Sequence, residues 1–200
     1  SGMCWGRNDN GNLGDGTYNN RSEPTPISII PADKSLVAMD LGDDHTCAIY
    51  NDGMVNCWGN NTYCDGDGTQ CTNTDEGGKL GDGTNSSSTY PRAVSLPVGK
   101  TAKSIDVGAD HSCAILDDNS AVCWGMNTEG QLGDGTTTDR NIPTQTASLG
   151  TERTAVAISA GGYHTCAILD DGSVSCWGQN EDANLGDGTT TDRHTPCLLY

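Results

Sequence analysis

Cysteines recur in this chain at a spacing that invites covalent chemistry. The stretch His164 to Gly178 reads HTCAILDDGSVSCWG and places Cys166 and Cys176 on either side of an Asp-Asp-Gly. The pattern returns as HTCAIYNDGMVNCWG with Cys47 and Cys57, and as HSCAILDDNSAVCWG with Cys113 and Cys123. A zinc site expects Cys-x-x-Cys or closely grouped Cys and His, which a separation of ten across a turn does not supply. The chemistry to expect is disulfide formation, in an oxidising compartment.

Three other groups of residues invite a chemical reading. Asp65, Asp67, Thr69, Asn73 and Glu76 lie at positions 1, 3, 5, 9 and 12 of a loop, the spacing of calcium oxygens in a helix-loop-helix site. Gln70 stands where that loop needs Gly, and no helix flanks it, so an acidic solvated turn is the first reading and calcium the second. Cys64 and Cys71 in the same stretch read as a local disulfide. His45, His111 and His164 could be bases, but they repeat at one position of a repeated unit and read as structural hydrogen-bonders. The Asp of each Leu-Gly-Asp-Gly-Thr (Asp15, Asp82, Asp134, Asp187) is first a turn residue, and Trp5, Trp58, Trp124 and Trp177 read as core. A catalytic centre normally breaks repeat symmetry at one site, and no Ser/His/Asp or Cys/His set does so; the expectation is that the chain is not an enzyme and requires no cofactor.

The repeat supplies the elements that position these residues. Cys-Trp-Gly begins at Cys4, Cys57, Cys123 and Cys176, which are 53, 66 and 53 residues apart, so a unit of about 53 residues carries an insertion within 60–78. Units fall near 1–35, 36–100, 101–152 and 153–200 of one domain or domain segment. Val156, Ile158 and Ala160 alternate along one strand face, as do Ile105, Val107 and Ala109, and Val37, Met39 and Leu41. Two further strands flank each turn, where a three-residue loop puts Gly53, Asn119 or Gly172 in the left-handed conformation. Counting back from Leu169 opposite Ser173 sets Cys166 opposite Cys176, within disulfide reach. The same count pairs Cys47 with Cys57 and Cys113 with Cys123.

Composition narrows the partners. Asp and Glu number 27 against 10 Lys and Arg, a formal charge of −17, which repels nucleic acid. No apolar run approaches the roughly 20 residues of a membrane-spanning helix, so membrane insertion is not expected. Asn20, Asn60 and Asn85 head N-x-[ST] sequences and are candidate glycosylation sites.

The order strand, G-x-x-H-T-C-A-I, turn, D-G-x-V-x-C-W-G-x-N, then L-G-D-G-T and a proline-bearing segment resembles the regulator of chromosome condensation repeat. Gly162, His164, Asp171, Gly172, Trp177, Gly178, Asn180, Leu185 and Gly186 carry the resemblance in the last copy. It implies an all-β fold without substantial helix, a β-propeller of antiparallel strands, here with disulfide-stapled hairpins. The founding member is a nuclear exchange factor for a small GTPase. This cysteine-bearing chain looks instead like a secreted branch, for which a structural or binding role is the natural expectation.

Cys4 and Cys197 remain. The tail CLLY could form a strand beside Cys4, with the bond closing one chain into a ring or joining neighbours head to tail in a filament. Alternatively, Pro196 aligns with Pro143 and Pro24, which makes the tail an ordinary outer strand, or Cys4 belongs to a larger propeller. The expected function is an extracellular or cell-surface structural or adhesive protein that self-associates. A monomeric module binding a protein, a glycan or a calcium-dependent ligand is the rival, and an exchange factor or enzyme a remote third.

Overall fold

The computed structural model describes residues 2–63 and 73–199, the side chains of Tyr63 and 73–76 excepted. Among them every regular element is a strand. β1 (Met3–Gly6) and β2 (Arg21–Pro26) form a two-stranded sheet. Three four-stranded antiparallel sheets follow. β3 (Leu36–Leu41), β4 (His45–Tyr50), β5 (Val55–Gly59) and β8 (Ser88–Ala93) make the first. The second is β9 (Ala102–Val107), β10 (His111–Leu116), β11 (Ala121–Gly125) and β12 (Arg140–Gln145). The third is β13 (Ala155–Ala160), β14 (His164–Leu169), β15 (Val174–Gly178) and β16 (Arg193–Leu199). The insertion adds a separate ribbon, β6 (Thr62–Tyr63) with β7 (Asn73–Gly77). Each sheet is a blade, and the chain is a segment of a β-propeller: one half-blade, then blades two, three and four.

The hairpins have the register the turns dictate. Gly172 N–H donates to the Leu169 carbonyl at 2.9 Å, and Gly53, Asn119 and Gly172 all take positive φ. Cys47 faces Cys57, Cys113 faces Cys123 and Cys166 faces Cys176, and each pair is a disulfide with a Cα separation of 4.1 Å.

The core lies between blades. Cys47, Ile49 and Val55 of the second blade pack with Ile105, Val107 and Trp124 of the third, and Cys113, Ile115 and Leu132 of the third with Ala155, Leu169 and Trp177 of the fourth. The apolar stripe of β9 faces the preceding blade, whereas in β13 a bulge between Ala155 and Ala157 interrupts the stripe and leaves Val156 exposed. Ile105 and Val107 are therefore buried, whereas Val37, Met39 and Leu41, beside the half-blade, are exposed.

The tail does not form a strand beside Cys4. β16 pairs with β15, setting Cys197 opposite Cys176, while Cys4 lies opposite Thr25. The physical reason is proline: lacking an N–H, it is tolerated on an edge strand, and Pro24, Pro91, Pro143 and Pro196 each sit in the outermost strand of a sheet. Cys4 and Cys197 are both free thiols, so the same-chain bond between them is not formed.

Candidate functional site

Neighbouring blades are joined by a repeated clamp of three hydrogen bonds. The Lys79 carbonyl, in the loop that closes the second blade, accepts from Trp124 Nε1 at 2.9 Å and from Ser112 Oγ at 3.2 Å. Gln131 does the same for Trp177 and Thr165, and Asn12 for Trp58 and Thr46. Since each hydroxyl proton goes to the carbonyl, the histidine that reaches that oxygen must donate to it. His45 Nε2 lies 2.9 Å from Ser112 Oγ and His111 Nε2 2.8 Å from Thr165 Oγ1. Both rings are thus neutral Nε2–H tautomers with a buried, unpartnered Nδ1. They are structural, as their repetition suggests.

Burial above all, with a smaller push from the neighbouring histidines, drives the His111 pKa down to about 3. An unfolded chain protonates this residue below its ordinary value near 6.5, so unfolding takes up a proton between the two values and stability falls as pH drops through that window. We expect His111 alone to remove about 3 kcal/mol between pH 6.5 and 4. Urea unfolding across that range tests this: His111→Gln should flatten the slope, and an unchanged slope would contradict it.

The loop after each Trp-Gly is organised by one asparagine. Asn127 Oδ1 accepts from Leu132 N–H at 2.9 Å, and its Nδ2 donates to Asp134 and to the carbonyls of Thr136 and Thr138. Asn8, Asn61 and Asn180 repeat the arrangement. The Asp of Leu-Gly-Asp-Gly-Thr caps its Thr and pairs with an outer-strand arginine, at 2.6 Å for Asp15 with Arg21 and 2.7 Å for Asp134 with Arg140. These carboxylates are therefore committed to loop structure. Recurrence of Trp-Gly-x-Asn was the available signal for the asparagines.

One site breaks the symmetry. Lys79 occupies the position of Asn12, Gln131 and Asn184, and its ammonium, 1% exposed, lies 2.9 Å from Asp44 Oδ1 and 2.6 Å from Asp110 Oδ1. Burial works against the Asp44 charge, but the Lys79 ammonium and the Asn60 amide outweigh it and hold the carboxyl well below the usual range. His45 Nδ1 is 3.8 Å from Asp44, too long for a hydrogen bond. With its lysine locked between two blades, the cluster is a clamp.

The remaining basic residues are also committed. Nine of the ten Lys and Arg form ion pairs with Asp, including the recurring turn pairs Lys34–Asp52, Lys100–Asp118 and Arg153–Asp171. Lys103, the tenth, donates to Asn119 Oδ1 at 2.7 Å. The surface that results is acidic.

Several openings interrupt it. A polar cleft of about 420 Å³ lies between blades three and four beside Asp118, Gln145, Ser148 and Arg153. The turns at Gly42, Gly108 and Gly161 line a shallower one of about 270 Å³. An apolar cleft of about 240 Å³ is walled by Met3, Cys4, Trp5, Met39 and Leu41. Here the end blades differ from the inner ones. Trp58, Trp124 and Trp177 are 0% exposed and Trp5 is 60% exposed. Gly81, at φ +67°, lies so close to Trp124 that a Cβ would fall 2.7 Å from Nε1. Gly14 and Gly133 meet Trp58 and Trp177 likewise, whereas Gly186 faces open space.

Asn60 is not an acceptor for glycan: it is 4% exposed and its Nδ2, the atom a sugar would join, donates to Asp44 at 2.7 Å. Asn20 is exposed, and Asn85 is half-buried with its hydroxyl partner Ser87 bound to the Asn61 N–H. The calcium candidates Asp65, Asp67 and Thr69 and the Cys64–Cys71 pair lie outside the described residues, as do the side chains of Asn73 and Glu76.

Comparison with known proteins adds the following. A family model described as Regulator of chromosome condensation (RCC1) repeat matches residues 4–49, 75–115 and 120–168. The chain is 33% identical over 193 residues to the ultraviolet-B receptor UVR8 of Arabidopsis thaliana, covering 96% of this chain and 40% of that one. It is 26% identical over 196 residues to the E3 ubiquitin-protein ligase HERC2 of Homo sapiens, covering 98% of this chain and 4% of the ligase. Among solved structures, human WBSCR16 superposes with a TM-score of 0.78 at 22% identity, over 99% of this chain and 47% of that one. Prp20p from Saccharomyces cerevisiae, a structure described with its binding to Gsp1p and histones, gives 0.77 at 19%, over 99% and 46%. These two likenesses concern the fold alone. The chain spans less than half the length of each of these proteins.

Proposed function

This chain belongs to the regulator of chromosome condensation repeat family, and from that premise we propose that it is a non-enzymatic, protein-binding propeller segment with a structural or adhesive role outside the cell or on its surface. The three hairpin disulfides support an oxidising compartment. The acidic surface counts against a phosphate-bearing partner.

Self-association, head to tail, is the sharpest form of this reading. One observation carries it: the end faces are complementary. Within the chain each blade lays a Leu-Gly loop against the tryptophan of the next, and only Gly186 and Trp5 lack that partner among the described residues. The partner of each can be a further blade of the same polypeptide or a second copy; a second copy presenting Gly186 to Trp5 makes a heterologous contact that need not close. Light scattering coupled to size exclusion tests it. Wild-type protein should give concentration-dependent oligomers and Trp5→Asp a monomer. A wild-type monomer at every concentration, with and without reductant, overturns assembly and favours the rival monomeric module, whose acidic surface suits a basic protein partner.

A further inference from the structure

The three bridged hairpins are alike except for what lies across the next strand. Opposite the third-strand cysteine stand Arg92 in blade two and Thr144 in blade three, but Cys197 in blade four. Cys166, Cys176 and Cys197 therefore form a row across β14, β15 and β16.

The register says how close they come. A residue in an antiparallel sheet turns its N–H and C=O to one neighbouring strand and presents a closer, non-hydrogen-bonded pair to the other. Cys166 and Cys176, with Cα atoms 4.1 Å apart, are the closer pair. Cys176 and Cys197 are thus the hydrogen-bonded pair, with a Cα separation of about 5.5 Å, inside the range that a disulfide spans. Directly opposite residues share a face of the sheet, so the free thiol and the bridge lie on the same side.

Access distinguishes this row from its counterparts. Cys47, Cys57, Cys113 and Cys123 are fully buried, whereas Cys166 and Cys197 are partly exposed. The Cys197 thiol lies 4.0 Å from Asp187 Oδ2, which also binds the Arg193 guanidinium.

We propose that blade four is a thiol–disulfide exchange site. The Cys197 thiolate attacks Cys176 Sγ, a Cys176–Cys197 bond forms as Cys166–Cys176 breaks, and Cys166 leaves as a thiolate that takes up the proton Cys197 gave up. One thiol and one disulfide enter and one of each leave, so no oxidant is consumed. The reactive thiol moves from the outer strand β16 to β14. At either position it can attack a disulfide of another protein, forming a mixed disulfide and expelling one thiolate from that partner. The site's substrate class is accessible protein disulfides. The inference does not rest on self-association.

The test is thiol mapping of the full chain prepared without reductant. Samples held at pH 6, 7 and 8 are alkylated with iodoacetamide and digested without reduction. Label is expected on both Cys197 and Cys166, with Cys176 bonded to each, at a rate rising about tenfold per pH unit. In Cys197→Ser, Cys166 should carry none. With oxidised glutathione, Cys166→Ser should form the Cys176–Cys197 bond. The proposal is overturned if label in the wild type is confined to Cys197 and Cys4 at every pH with Cys166–Cys176 intact, a result that does not depend on either variant folding.

Discussion

Trp124→Ala is expected to cost about 3–5 kcal/mol of stability, and Trp5→Ala less than about 0.5 kcal/mol. The two residues stand in the same Cys-Trp-Gly, so sequence alone ranks them equally. Their neighbours separate them. Trp124 is fully enclosed, with the second blade's Gly81 against the indole and its Nε1 donating to the Lys79 carbonyl. Truncation opens a cavity too large for the flanking disulfide hairpins to fill, and removes one of the two donors to that carbonyl. Trp5 is mostly in water already. Urea unfolding of both variants beside the wild type measures the difference; equal shifts of the midpoint would contradict the account.

Lys79→Met is the second large expectation, a loss of about 3–5 kcal/mol. Desolvating an ammonium is costly, and a pair of this kind adds little against an apolar replacement of the whole cluster. Removing only the lysine is different, because Asp44 and Asp110 then face one another across the blade seam without their counter-charge. Asp110→Asn added to Lys79→Met should restore part of the loss, so the double-mutant cycle should show strong coupling. A single-variant cost below about 1 kcal/mol would place the cluster with surface ion pairs instead.

What could be read from the sequence was whatever repeats. The strands, the three-residue hairpin loops and the Cys47–Cys57, Cys113–Cys123 and Cys166–Cys176 register follow from local turn chemistry, which a window of fifteen residues contains. Interblade contacts are different, because they join residues tens of positions apart. Nothing local says that Ser112 relays His45 to the Lys79 carbonyl. The Lys79 cluster had a weak signal, Lys-Leu-Gly-Asp-Gly-Thr where other copies have Asn or Gln, but its two carboxylates come from different blades. For the tail the sequence offers two places, beside Cys4 or as an outer strand. Pro196 decides the matter, since a missing N–H suits the outermost strand and no other. Asn60 reads as a sequon until its burial is seen.

Among the described residues the bridges lie wholly within blades and none spans a seam. Under tension applied to the two ends, each one shunts force past the nine residues between its cysteines. Those residues stay slack while the rest of the chain draws out. At about 3.5 Å per extended residue, three bridges withhold roughly 100 Å from a contour of about 700 Å. The seams, held by indole, hydroxyl and lysine contacts, part first, and what separates is a string of closed hairpins on extensible tethers.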